Sequence, residues 1–180
     1  ADGDILRYGG SPSLDGKYIA YSDLEANMYV LNVATGESRK ISTNQEGIWG
    51  HSWAPDSKWL AYVQAADNTM ARIFLYHVEN EERIALTTDR ANSIYPQFST
   101  DGKFIYFISD RSFTSLVGSP WGPRQPEPYF DASEKIYHIS LKKGTRSPFR
   151  PDDELYKEDK NETEKEEKKE KGNEDDKVVV

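Results

Sequence analysis

One motif recurs three times and constrains the fold more than any other feature of the chain. Ser11-Pro-Ser-Leu-Asp15-Gly-Lys-Tyr-Ile-Ala-Tyr21 aligns with Ser52-Trp-Ala-Pro-Asp56-Ser-Lys-Trp-Leu-Ala-Tyr62 and with Pro96-Gln-Phe-Ser-Thr-Asp101-Gly-Lys-Phe-Ile-Tyr-Phe107. The aspartates are 41 and 45 residues apart, a spacing that belongs to architectures built from repeated supersecondary units. A second apolar segment follows each motif: Met28–Val33, Arg72–Val78 and Lys135–Leu141. In the first two units a short third segment comes next, Arg39–Ser42 and Arg83–Thr87. These segments are short, β-branched and aromatic, and are bounded by Gly, Asn, Asp and Pro, so they read as strands.

Turn chemistry agrees with this reading. Asp15-Gly16 and Asp101-Gly102 are Asp-Gly pairs of the kind that tight hairpins favour. Each unit is expected to be a small antiparallel sheet of three strands, with a short fourth strand around Trp53 or Phe98. Tyr18–Tyr21, Trp59–Val63 and Phe104–Ile108 are apolar at every position instead of alternating. A strand with one wet face alternates, so these strands need cover on both faces. No helical periodicity of useful length is present to supply that cover from helices. The expected class is therefore all-β: about three four-stranded antiparallel blades of a β-propeller, each covered by its neighbours. A closed propeller has roughly four to eight blades, so further blades are expected outside this chain.

Charge divides the chain in two. Of 180 residues, 31 are acidic and 23 basic, for a net charge of −8. Pro151–Lys177 holds 13 acids and 7 bases, a net of −6, and leaves residues 1–150 nearly neutral. All but one of the 22 aromatics lie in those first 150 residues. Residues 1–150 are thus expected to form the partial propeller and 151–180 a charged, disordered linker. Glu164/Lys168 and Glu167/Lys171 have the spacing that supports an isolated helical turn. A nearly neutral body offers no electrostatic footprint for nucleic acid or an anionic membrane. No apolar run approaches the roughly 18 residues of a membrane helix. With no cysteine, disulfides and cysteine metal sites are excluded.

No catalytic, cofactor or metal constellation is legible. His77 and His138 occupy related places beside apolar neighbours and read as hydrogen-bonded structural histidines, while His51 reads as core or rim. No Gly-x-Ser-x-Gly elbow exposes a serine nucleophile. Asp15, Asp56 and Asp101 head turns, where an aspartate accepts local backbone N–H bonds. The Ser109-Asp110-Arg111 segment is more informative because blade loops of this kind face a propeller opening. Arg111 either holds a peptide carboxylate in bidentate fashion or joins Asp110 in a salt-bridge network between blades. An insert of about 20 residues over 111–134 follows, rich in Pro and Gly between Gly118 and Pro128. Long loops in compact domains tend to be functional. The insert either decorates a propeller face, packing Trp121, Tyr129 and Phe130, or contacts a ligand. Arg111, Trp121 and Arg124 are the candidate peptide contacts.

The repeat units are common to many propellers, including TolB-like and prolyl-oligopeptidase-type ones. More specific is the succession Ile105-Tyr-Phe-Ile-Ser-Asp-Arg-Ser-Phe113, a long insert, Lys135-Ile-Tyr-His-Ile-Ser-Leu-Lys-Lys-Gly-Thr-Arg-Ser-Pro-Phe149, then a Lys/Glu-rich stretch. It resembles the last blades of the second propeller of tricorn protease homologues and the linker to their first catalytic subdomain. The resemblance spans roughly residues 8 to 160. It implies a cytoplasmic serine peptidase related to the tail-specific proteases, assembled as a homo-oligomer, that degrades oligopeptides and uses its propellers to gate and steer them. The family's catalytic residues lie in other domains, so none is carried onto this chain. The implied partners are peptides and other domains of the same polypeptide, with no cofactor, nucleic acid or membrane. A non-enzymatic TolB-like binding module and the propeller of a prolyl-oligopeptidase-like enzyme remain alternatives.

Overall fold

A computed structural model describes residues 5–112, 114–116 and 129–151, which form strands and, among the described residues, no helix. The first sheet runs in the order β1 (Arg7–Pro12), β2 (Tyr18–Asp23), β3 (Asn27–Asn32), β4 (Ser38–Thr43). The second repeats the plan with β5 (Ile48–Trp53), β6 (Trp59–Ala65), β7 (Ala71–His77) and β8 (Arg83–Ala85). The third has β9 (Ser93–Phe98), β10 (Phe104–Ser109) and β13 (Lys135–Ser140). Within the insert, β11 (Thr114–Leu116) and β12 (Tyr129–Ala132) pair as a separate two-stranded sheet. All pairings are antiparallel.

The strand expected to be short is a full six-residue strand in every unit, and it opens each sheet. Its glycines and proline mask it, because each of these strands pairs across a one-residue bulge: between Tyr8 and Ser11, between Trp49 and His51, and opposite Phe107. A bulge keeps the ladder on both sides while admitting residues of poor strand propensity. The charged segment from residue 152 onward lies outside the described residues.

The blades stack as their apolar strands require, and the middle blade shows it best. Leu60, Ala61, Tyr62 and Val63 of β6 are all 0 % exposed. Leu60 and Tyr62 face the first blade and pack with Ala20, Met28 and Val30. Ala61 and Val63 face the third, where Ile105 and Phe107 meet them with Ile73 and Leu75. Each Leu, Ile, Val, Met or Phe side chain among them contributes about 1.5–3 kcal/mol on burial. The outer faces are only partly covered: Tyr21 and Tyr29 stack on the first at 5.0 Å, and Tyr106, His138 and Phe149 cluster on the third.

Polar ties join the blades as well. Trp53 Nε1 donates to Ser11 O at 2.9 Å, Ser42 Oγ to Gln64 Oε1 at 2.6 Å, and Asn44 Nδ2 to Ala65 O at 2.6 Å. β9 packs on β5, and β5 on β1 and β2. The blades therefore converge along their first strands, with β4 and β8 at the opposite edge.

Candidate functional site

The candidate site grows from the end of β10. Ser93 and Ser109 are register partners where β9 begins and β10 ends, and both are buried. The chain leaves this point through Asp110 and Arg111 into the insert. Asp110 turns back onto Asn92, accepting its backbone N–H at 2.9 Å and its Nδ2 at 2.7 Å. Asn92 Oδ1 in turn accepts the backbone N–H of Ala71 on β7, at 2.9 Å. Asp110, Asn92 and Ala71 thus clamp the third blade to the second.

Arg111 points elsewhere. Its Nε donates to Ser109 Oγ and a terminal nitrogen to Ser93 Oγ, each at 3.0 Å. The guanidinium carbon lies 5.0 Å from the ring centres of both Phe107 and Tyr137. Those two rings stack on each other at 5.9 Å, so the cation rests on a paired aromatic platform, an interaction worth about 0.5–1 kcal/mol at an exposed site. A guanidinium has five N–H donors; among the described residues two are spent on hydroxyls, and the group is exposed to solvent. Tyr137 Oη, beneath the same cation, is buried without a hydrogen-bond partner among the described residues.

The expected alternative of a salt bridge between Asp110 and Arg111 is not what forms. Among the described residues Arg111 makes no ion pair, and Asp110 is engaged by Asn92. The reason is local: consecutive residues leaving a strand project to opposite sides, so the two charges cannot both serve one cluster. Trp121 and Arg124 lie outside the described residues. Phe107, Tyr137 and Ser93 were missed as site residues because each reads as ordinary strand sequence, whereas Ser109 was singled out only as part of the segment that carries Arg111. A signal was nonetheless present, in an arginine placed just beyond a Phe-Ile-Ser strand end.

Other chemically capable groups have structural duties. Asp15, Asp56 and Asp101 each accept the backbone N–H two residues on, at 2.9–3.0 Å. His77 Nδ1 accepts the Asn80 N–H at 3.0 Å, and its ring meets Trp59 edge-on. His138 packs among Phe104, Tyr106 and Phe149. Burial pushes His51 below the ordinary histidine value. Among the described residues no three His, Asp or Glu side chains gather in a way that would hold a metal, and no helix is long and apolar enough to cross a membrane.

Stacked antiparallel sheets that converge on their first strands define the chain as a β-propeller segment. Its sequence narrows this further: residues 2–179 match the tricorn protease second β-propeller domain, and the chain belongs to that family. It is 27% identical over 154 residues to tricorn protease homolog 1 of Streptomyces coelicolor, covering 83% of this chain and 14% of that protein. It is 29% identical over 107 residues to the tricorn protease of Thermoplasma volcanium, covering 56% of this chain and 10% of that one. The chain therefore spans a small part of the length of these relatives. In shape it is similar to the crystal structure of the tricorn protease, with a TM-score of 0.68 at 21% identity, over 82% of this chain and 14% of that chain. It is also similar to TolB from Acinetobacter baumannii, with a TM-score of 0.52 at 20% identity, over 78% of this chain and 31% of that one.

Proposed function

We propose that the chain is a substrate-guiding segment of a cytoplasmic, homo-oligomeric tricorn-type serine peptidase, binding oligopeptides without cleaving them. The observation that carries this reading is the setting of Arg111. It is an exposed guanidinium, oriented by Ser93 and Ser109 and backed by Phe107 and Tyr137. A guanidinium held in this way is suited to bidentate recognition of a carboxylate, and every linear peptide ends in one. Residues 1–150 act as the propeller body and 151–180 as the linker to further domains. Trp121 and Arg124, in the same insert, add to the peptide contact. In this reading hydrolysis is assigned to other domains, as the resemblance to tricorn-type peptidases implies, and His77 and His138 serve the packing of the blades.

A second reading is a non-enzymatic, TolB-like protein-binding module; the likeness in shape to TolB, at 20% identity, bears on the fold alone. Incubating the chain with a mixture of unstructured oligopeptides and following them by mass spectrometry tests the first. Retention of intact peptides is expected. Cleavage abolished by a single Ser→Ala change within residues 1–150 would overturn it.

A further inference from the structure

The seam between the first two blades holds two arginines that no acid answers among the described residues. On the face of the second blade that meets the first, Tyr62 pairs with Phe74, Gln64 with Arg72 and Tyr76 with Arg83 across neighbouring strands. Arg72 and Arg83 both rest on Phe74, with guanidinium carbons 5.2 and 4.1 Å from its ring centre. The two cations therefore lie within the sum of those distances, about 9 Å, of each other. Arg83 is exposed and Arg72 half-buried, so the pair opens to solvent. Both blades that form the seam are in the chain, so this is not a face awaiting a neighbour. The ion pair that does cross the seam joins Arg39 to Glu81 at 3.0 Å and leaves Arg72 and Arg83 without a carboxylate.

Hydrogen bonding leaves the same surplus. Arg83 donates through a terminal nitrogen to Gln64 Oε1 at 2.7 Å, an oxygen that Ser42 Oγ of the first blade also fills at 2.6 Å. Arg72 Nε donates to Thr87 O at 3.1 Å. Both partners are neutral, and among the described residues each guanidinium spends one of its five N–H donors. Tyr62, stacked on Phe74 at 5.8 Å, has a buried hydroxyl with no hydrogen-bond partner. Donors and positive charge are thus in excess, while the acceptors beside them are already filled. We infer that Arg72 and Arg83 form an anion site at this seam that takes a phosphoryl dianion, as free phosphate or a phosphate monoester. Two planar guanidinium forks match the oxygens and double charge of that group, where a single arginine suffices for a carboxylate. The site goes beyond peptide guiding and does not depend on it.

The test is equilibrium dialysis of the 180-residue chain against radiolabelled inorganic phosphate at constant chloride. Arg111→Met serves as the parent, so that the other solvent-facing guanidinium does not enter the measurement. Saturable binding at a single site is expected. Arg72→Gln and Arg83→Gln should each weaken it about tenfold. Lys17→Gln, which removes an exposed charge from the first blade, should leave it unchanged. Gln64→Glu separates binding from packing: it keeps the oxygen that Ser42 and Arg83 use and supplies an anion beside both arginines. That variant should lose phosphate binding and unfold at a higher urea midpoint than its parent. Competition by O-phosphoserine supports a monoester as the source, and its failure to compete supports free phosphate. Three results overturn the inference: no saturable binding, equal binding by Arg72→Gln and Lys17→Gln, or a Gln64→Glu chain that still binds phosphate or is less stable than its parent.

Discussion

The backbone N–H of Asp15 in the first blade donates to Ser57 Oγ in the second across 3.0 Å. Ser57 stands where the other two units have Gly16 and Gly102, and it adopts the same left-handed backbone, with φ of 59° against 71° and 65°. The serine is buried, so the unfavourable conformation persists where the hydroxyl ties two blades together. Ser57→Ala is expected to lose the tie while keeping the strain, at a cost of about 1 kcal/mol. Ser57→Gly loses the tie but relaxes the backbone, so its urea midpoint should lie between those of wild type and the alanine variant.

Asn92 is the corresponding joint between the second and third blades. Replacing it with alanine keeps the backbone N–H bond to the Asp110 carboxylate but removes the one from Nδ2, and it leaves the Ala71 N–H buried and unpaired. Equilibrium unfolding of Asn92→Ala is expected to show a loss of about 2–4 kcal/mol. Asn92→Asp keeps an acceptor for Ala71 but replaces the Nδ2 donor with a second carboxylate against Asp110, so at neutral pH it should also be destabilised.

The blade plan was legible because its cause is local and repeated. An Asp-Gly-Lys turn followed by an unbroken apolar strand has few other uses, and Leu60 to Val63 are buried on both faces as their composition requires. Two things were less legible. The inner strands hide behind Gly9, Gly10, Gly50 and Pro96, whose low strand propensity is absorbed by bulges that only the pairing reveals. Arg111 was visible as a candidate, but its partners were not. Ser93 and Tyr137 come from strands 18 and 26 residues away in sequence, and cross-strand register alone brings them under the guanidinium.

Acid sensitivity should come in two separate windows. Hydrogen bonds from the Ser99 hydroxyl and the Lys103 N–H hold the Asp101 carboxyl below the ordinary aspartate value of 3.8. A depressed carboxylate stabilises the fold above the unfolded value and loses that contribution as pH falls through the folded one. Asp101→Asn should therefore shallow the loss of stability below pH 3.8. Burial lowers His51 from 6.5, so the unfolded chain takes up that proton first, and stability drops as pH falls from 6.5 towards the folded value. His51→Gln should remove this earlier decline. Urea midpoints measured across pH for both variants separate the two windows.

Anisotropy titration of the chain with one unstructured peptide, prepared as the free acid and as the C-terminal amide, tests the central claim most directly. Wild type should bind the free acid about tenfold more tightly, the worth of a charge-assisted bidentate pair. Arg111→Met should erase that difference and Arg111→Lys restore only part of it, since lysine lacks the planar fork. Equal affinity for acid and amide in wild type, or a preference that survives Arg111→Met, would contradict the account.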